Sequence, residues 1–556
     1  MTRHLPDWVP RSIQTIAQGY DRRTVLADLI AGVTVGLVAL PLAMAFAIAS
    51  GLTPQAGIYC AIITGFLISA LGGSKFQIGG PTGAFVVVVA GIISEYGIDG
   101  LFMCTMMAGV MLVVMGLTGA GSAVKYIPRP VIIGFTNGIA LVIASTQLKD
   151  ILGLEVDVPG EFIGRIETIA AHSAESSVDS VALGAGTLIL LVVWSRFVKR
   201  VPAYIVALLA GTSAAMVFGL DVATIGSRFG GIPGGLPQFH LPTFQPSLIL
   251  TLLSPALTVA MLGAIESLLS AVVADRIGGD RHNPNTELFA QGVANIISPL
   301  FGGLPATGAL ARTATNIRSG ARSPIAGIIH AATLLGVLLF GAGLAGLVPL
   351  PVLAAILLVV AYNMGEWRQI PEIWKQTYTD AVVWLVTVTL TVLADLTVAV
   401  EVGMVMAALL FIRRVSRTTT VSRVTQEYIE AGLPHVLQGK TIPANVAIFR
   451  IHGPFLFGST DKLHDIVLQA DSLPPVVILR CRNMTAVDGT GLSAIEELAE
   501  DLRAKGRTLV ICGAPAQPAG AMRKAEFHER LGRANICDRL QDALDRAAEI
   551  TSLPRT

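Results

Sequence analysis

Two ionisable side chains stand inside stretches of this chain that are otherwise apolar. Glu266 sits in LTVAMLGAIESLLSAVVAD, with Ser270 one helical turn later on the same face, and Arg312 follows the glycine- and proline-broken run GGLPATGAL, Gly302 to Leu310. A fixed charge in such surroundings is costly and is usually paired or functional. Two readings follow. Arg312 and Glu266 could form a structural ion pair locking two spans together. Alternatively, and favoured here, Glu266 is a site for a proton or another coupling cation and Arg312 is part of a site for an anion. Protonating Glu266 would then leave the surroundings net positive and able to accept an anion.

The elements that must position these groups are membrane spans. At 53% hydrophobic and 14% charged residues over 556 positions, the chain is too apolar for a soluble protein. Fourteen apolar segments recur, over 27–50, 57–73, 81–94, 100–118, 129–149, 180–196, 201–220, 246–274, 288–301, 306–317, 324–346, 349–363, 379–396 and 398–414. Ahead of them a polar N-terminal segment, 1–26, lacks the apolar stretch and small-residue site of a cleaved signal peptide. With a cytoplasmic N-terminus, the inner connections hold Lys75, Lys125, Arg129, Arg196, Lys199, Arg200, Arg276, Arg281, Arg318, Arg322, Arg368 and Lys375, and the chain leaves the membrane at Arg413, Arg414 and Arg417. The outer connections hold only Arg165 and Arg228 among acidic residues. This asymmetry predicts both termini on the cytoplasmic side.

Two of the spans are short and interrupted. The third opens on GGPTGAF, Gly79 to Phe85, and the tenth on GGLPATGAL; they occupy corresponding places in two halves of seven spans. Gly-Gly pairs occur elsewhere too, from Gly72, Gly230, Gly234 and Gly278, so position rather than spelling carries the match. Paired interrupted spans point to a substrate site near the membrane midplane. Each predicts an extended approach followed by a half-helix, near 81–94 and 306–317, whose N-terminal amides and positive dipole end favour an anion. Thr82 and Thr307 could cap these helices or offer hydroxyls to a ligand. Asn137, Gln147, Asn295, His330 and Asp395 are read as interhelical hydrogen-bonding groups, and Asp275, Arg276, His282 and Asn283 as a structural inner loop.

After residue 417 the composition changes. A polar linker, 417–440, leads to a soluble α/β domain over 441–548, in which strand-like NVAIFRIHG, PVVILRC and TLVICGAP alternate with helix-like GLSAIEELAEDLRAKG and DRLQDALDRAAE, followed by a tail, 549–556. A net charge of +1 gives no support for nucleic-acid binding. Five scattered cysteines make neither a metal cluster nor a disulfide framework. No metal, nucleophile or phosphate-loop motif suggests an enzyme, and no cofactor is expected beyond a coupling proton or sodium ion.

The stretches LGAIESLLSAVVAD and ELFAQGVANIISPLFGGLPATGALARTATNIRSGARSPIAGIIHA, with LPLAMAFAIASGL in the first span and GGPTGAF in the third, resemble the sulfate permease (SulP) family of anion transporters. The C-terminal AVDGTGLSAI is similar to the STAS-domain signature, here Asp488, Thr490 and Gly491. The resemblance implies a polytopic α-helical membrane protein with a seven-plus-seven inverted repeat, core and gate domains, an elevator-like movement and a homodimer, plus a small cytoplasmic STAS domain. It places the anion site at Phe46, Pro81, Thr82, Gly83, Ala84, Ala309, Leu310, Ala311 and Arg312, beside Glu266 and Ser270. Some relatives have Gln where Leu42 stands and Ser where Ala309 and Ala311 stand, which leaves backbone amides more of the binding. Sodium-coupled bicarbonate relatives resemble this chain with Asp and Thr at the positions of Glu266 and Ser270, so Glu266 favours protons without excluding sodium. Thr490 matches a residue phosphorylated in soluble anti-sigma-factor antagonists, although Asp488 and Thr490 as helix caps is the preferred reading, with the domain serving trafficking, dimer contacts or regulation and offering a surface for a cytoplasmic partner. Nucleobase symporters resemble this one with an acidic residue where Arg312 stands; an arginine suits an anion. The expectation is therefore a cytoplasmic-membrane symporter of small anions, closest in text to C4-dicarboxylate carriers of this family. Sodium-coupled bicarbonate or sulfate uptake, exchange and channel activity remain alternatives.

Overall fold

The computed structural model describes residues 8–552 except for 122–127, 199–200, 233, 377, 395, 425–442, 444 and 469. Lys125, Lys199, Arg200, Asp395 and most of the 417–440 linker lie outside the described residues. The chain divides into two compact units, Met1–Val405 and Met406–Thr556.

The first unit is helical. Its elements are α1 (Arg11–Gln18), α2 (Arg22–Ala49), α3 (Pro54–Leu71), β1 (Gly79–Gly80), α4 (Gly83–Thr118), α5 (Arg129–Leu152), α6 (Phe162–Ala171), α7 (Val178–Phe197), α8 (Ala203–Phe218), α9 (Ile225–Phe229), α10 (Leu253–Gly278), α11 (Pro284–Ile297), β2 (Thr307–Gly308), α12 (Leu310–Arg318), α13 (Ile325–Ala345), α14 (Leu350–Met364), α15 (Ile370–Gln376), α16 (Tyr378–Leu393) and α17 (Leu396–Thr418), which runs on into the second unit. A helix lies over each of the fourteen apolar segments, and α4 covers two of them, broken at Gly97 with φ 72° and ψ −174°. Among the described residues, eight helical stretches are long and apolar enough, by length and composition, to cross a membrane. The short helices α1, α6, α9 and α15 were not expected; each is too short or too polar to stand out as a span.

Two helical groups pack side by side. One joins α2, α3, α4, α10, α11, α12 and α13; the other joins α5, α7, α8, α14 and α16. Small residues set the spacing within them, as expected where lipid removes the usual hydrophobic drive between helices. A methyl group on Gly109 of α4 would come within 2.8 Å of the Gly292 carbonyl oxygen of α11, and one on Gly292 within 2.6 Å of the Gly109 oxygen. Outward-facing residues such as Ile189, Phe218 and Phe340 stay exposed, as lipid permits.

The second unit carries a five-stranded sheet, in spatial order β3 (Thr420–Arg423), β4 (Val446–Phe455), β5 (Val476–Val487), β6 (Thr508–Cys512) and β7 (Ile536–Cys537). Only β3 is antiparallel to its neighbour. Alternation places Ala447, Phe449, Ile451, Val477 and Leu479 on one face, packed with residues of α18 (Asp461–Leu468), α19 (Gly489–Ala504), α20 (Ala516–Lys524) and α21 (Phe527–Arg530). Val446, Ile448, Val476 and Ile478 face the other way, onto Leu540, Ala543 and Ala547 of α22 (Leu540–Ser552). Burial on both faces explains why these strands read as continuous apolar runs. The segment expected to be linker from 417 onward holds the end of α17 and then the edge strand β3, whose TVSR pairs with β4 from Thr420 opposite His452 to Arg423 opposite Phe449.

Candidate functional site

The interrupted runs meet. β1 and β2 pair antiparallel, Gly79 opposite Gly308 and Gly80 opposite Thr307, and the Ala309 N–H donates to the Ile78 carbonyl at 2.8 Å. From this crossing α4 and α12 begin. Their N-caps, Thr82 and Ala309, are extended and make no side-chain cap bond. Apart from the Phe85 N–H, which donates to the Thr82 carbonyl at 3.3 Å, first-turn amides of both helices are left for another acceptor, at the positive ends of the helix dipoles.

Neither threonine hydroxyl makes a cap bond, contrary to one expectation. The Thr82 hydroxyl donates to Glu266 Oε2 at 2.8 Å, and the Thr307 hydroxyl donates to the Gly263 carbonyl at 3.1 Å and shares a 2.6 Å bond with the Ser267 hydroxyl. Ser267 Oγ also accepts from the Gly308 N–H at 3.1 Å. Ser270 is fully buried and donates to Thr313 Oγ1 at 3.3 Å, which in turn accepts from the Ile78 N–H at 3.1 Å. One face of α10 is thus fastened to the crossing by hydroxyls.

Arg312 is 2% exposed, and its Nη2 donates to the Pro81 carbonyl at 2.8 Å, while Nη1 has no hydrogen-bond partner. The Arg312–Glu266 ion pair, the less favoured of the two readings, is absent among the described residues: each group is instead held by one hydrogen bond to the start of α4, Glu266 by Thr82 and Arg312 by Pro81. Gly80 makes room for the guanidinium, since a methyl group there would lie 2.3 Å from Nη1.

A cavity of about 310 Å³ opens between the two helical groups. Of the residues expected to bind the anion, Phe46, Pro81, Thr82, Gly83, Ala309, Leu310, Ala311 and Arg312 line it, as does Glu266. Ala84 is buried in the packing beside it, and Ser270 lies behind the wall. Leu42, Leu262, Ile265 and Leu269 make the core wall apolar; Val131, Ile132, Phe135, Val360 and Met364 do so opposite. Sequence reasoning missed the polar residues of that opposite wall, Thr136, Tyr204, Asn363 and Glu366. Glu366, closing the apolar run LPVLAAILLVVAYNMG, was the one legible signal.

The other polar residues separate into two kinds. Asn295 exchanges two 2.8 Å bonds with Ala306, and Asn137 Oδ1 accepts from the Glu366 N–H at 3.0 Å. Gln147, by contrast, bonds within its own helix, to Thr146 and Ile143, and His330 has no hydrogen-bond partner at either ring nitrogen. His282 and Asp275 bond at 2.6 Å and Asn283 caps α11, a structural loop as expected. In the second unit Asp488 caps α19, accepting from the Gly491 N–H at 2.8 Å and, through its other oxygen, from the Phe457 N–H at 3.1 Å. Thr490 is exposed in the first turn and is not the cap.

Two broken helices meeting head to head beside an arginine with a free donor define a membrane transporter for an anion. Residues 25–387 match the sulfate permease family and residues 440–543 the STAS domain; the chain belongs to this family. It is 40% identical over 94% of its length, and 97% of the relative's, to YvdB of Bacillus subtilis, provisionally named a sulfate transporter. It is 32% identical to the bicarbonate transporter BicA of Picosynechococcus, over 92% of each chain. Among solved structures, the transmembrane domain of a cyanobacterial BicA aligns with a TM-score of 0.63 at 36% identity, over 68% of this chain and 98% of that one. The murine Slc26a9 anion transporter, in its inward-facing state, aligns with a TM-score of 0.86 at 17% identity, over 97% and 94%, a likeness of fold. The protein is thus a multi-pass anion transporter with a C-terminal STAS domain, and not an enzyme. The expected textual closeness to dicarboxylate carriers finds no support in these relatives, whose names concern sulfate and bicarbonate.

Proposed function

We propose that this chain is a proton-coupled symporter of a small anion, with Arg312 and the first-turn amides of α4 and α12 binding the anion and Glu266 carrying the proton. The observation behind this reading is a buried arginine, with Nη1 lacking a partner, that lines the same cavity as Glu266, a carboxylate with no ion pair among the described residues. A buried guanidinium is tolerated when its donors are satisfied, so a missing acceptor at this place suits an anionic ligand. Because hydroxyls fasten α10 to the crossing, Glu266 and the anion site move as one body, as an elevator-like carrier requires. The basic inner loops favour a cytoplasmic membrane with both termini inside, and the family resemblance favours a homodimer. Sulfate and bicarbonate, named for the relatives, are the first substrates to test, with succinate as the dicarboxylate.

The test is uptake of labelled sulfate, bicarbonate and succinate into proteoliposomes, with and without an inward proton gradient, for wild type and Glu266→Gln. Gradient-stimulated uptake that disappears in the variant supports proton symport. Uptake indifferent to both gradient and variant overturns the coupling role of Glu266, and a sodium gradient replacing the proton gradient identifies the alternative cation.

A further inference from the structure

We infer that Glu366 is a second proton-accepting carboxylate of the anion cavity, contributed by the gate wall, and that the anion binds only when at least one of Glu266 and Glu366 is protonated. This rests on the anion-site reading proposed above.

The charge of the cavity lining leads to it. Its charged side chains are Glu266 on α10, Arg312 on α12 and Glu366 just beyond α14; Tyr204 on α8 is a neutral phenol at ordinary pH. With both carboxylates ionised the lining carries one net negative charge and repels an anion. One proton brings it to neutrality, and a second makes it positive. In a cavity walled mainly by leucine, valine, isoleucine and phenylalanine, these charges are weakly screened.

The surroundings of Glu366 leave it free to serve in this way. Its N–H is held by Asn137 Oδ1 of α5 at 3.0 Å, which pins the segment to the gate wall. Its Oε2 accepts from Gln369 Nε2, and Gln369 Oε1 accepts from Arg129 Nη2 of α5 at 2.9 Å. Arg129 thus meets Glu366 by hydrogen bonds through a neutral amide, and no ion pair to Glu366 forms among the described residues. From α2 the wall presents only Leu42 and Phe46, and Arg368, Glu372 and Lys375 on the following segment are exposed. Both carboxylates line one cavity and set its charge, so the anion's apparent affinity should follow both.

The experiment measures KM for labelled sulfate and labelled bicarbonate, the latter corrected to its ionised concentration, from pH 6 to pH 8.5 in proteoliposomes of the full chain. Wild type should lose affinity as pH rises. Glu366→Gln should show a KM about 10-fold lower at pH 8.5 and a pH dependence shallower by one proton, and Glu366→Asp should keep the wild-type slope. Gln369→Leu, which removes a donor from the carboxylate, should move the profile to higher pH. A wild-type slope in Glu366→Gln together with an unmoved profile in Gln369→Leu overturns the inference while leaving the transport function standing. A folded wild type that carries neither anion at any pH overturns the function and the inference together.

Discussion

The molecule holds its buried charges in two contrasting ways. Near the ends of the helices Asp28 and Glu287 are both fully buried and fully engaged. Asp28 accepts from the Tyr20 hydroxyl at 2.9 Å, the Arg322 N–H at 2.6 Å, the Ser323 N–H at 3.1 Å and the Ser323 hydroxyl. Burial and the Asp28 carboxylate push the Tyr20 phenol up to about 12, so it remains a donor. Glu287 accepts from the N–H groups of Gly73 and Ser74 at 2.9 and 3.0 Å and from Gln291 Nε2 at 3.1 Å. At the crossing, Arg312 and Glu266 make one hydrogen bond each. A saturated charge is a fastener, fixed in position; an unsaturated one keeps capacity for a ligand or a proton.

The largest expected effect separates the two kinds. Arg312→Ala should reduce uptake at least about 100-fold, because the anion loses the cavity's one positive side chain and its charge-assisted donor. The melting temperature of the purified variant should hold or rise, since an incompletely paired buried charge is removed. A variant that transports normally would put Arg312 among the fasteners. Next in size, Glu287→Ala leaves two backbone N–H groups without an acceptor and should cost about 3 kcal/mol of stability, read as a lowered melting temperature in detergent. Transport per folded molecule should stay within about twofold. A selective loss of transport at unchanged stability would contradict its assignment.

Smaller again is Gly80→Ala. Its methyl group must displace the guanidinium tip, which lies 2.3 Å from the ideal position, without altering any charge. An affinity loss of about 10-fold is expected in the same uptake assay. Unchanged affinity would mean that the position of Nη1 does not matter to the ligand.

What could be read from the chain divides along the same line. The spans, the broken runs GGPTGAF and GGLPATGAL and the two-faced sheet were legible because hydropathy period and glycine punctuation are local properties. So was the suspicion attached to Arg312 and Glu266, two charges in apolar text. Their partners were not legible. Whether Glu266 meets Arg312 or Thr82 depends on the β1–β2 register and on hydroxyls of α10 some 40 positions from those they touch, such as Ser267 and Thr307. Ser270 shares the helix with Glu266, yet its bond is to Thr313 behind the cavity wall. Glu366 was passed over because a lone acid after an apolar run resembles the start of a solvated loop. Only packing of α14 against α5 turns it towards the cavity.

The smallest effect should come from Thr82→Val, which keeps side-chain volume and removes the hydroxyl that donates to Glu266. A single neutral donor contributes about 1 kcal/mol net, rather more to a carboxylate, so uptake at neutral pH should change only about threefold. The informative readout is the pH profile. Losing a donor to the carboxylate favours its protonated form, so the proton-dependent limb of uptake should move to higher pH with its slope unchanged. Should Thr82→Val instead be as severe as Arg312→Ala, with no movement of the profile, the hydroxyl contacts the anion itself. The contrast would then lie between the fasteners and a larger binding set in which Thr82 stands beside Arg312.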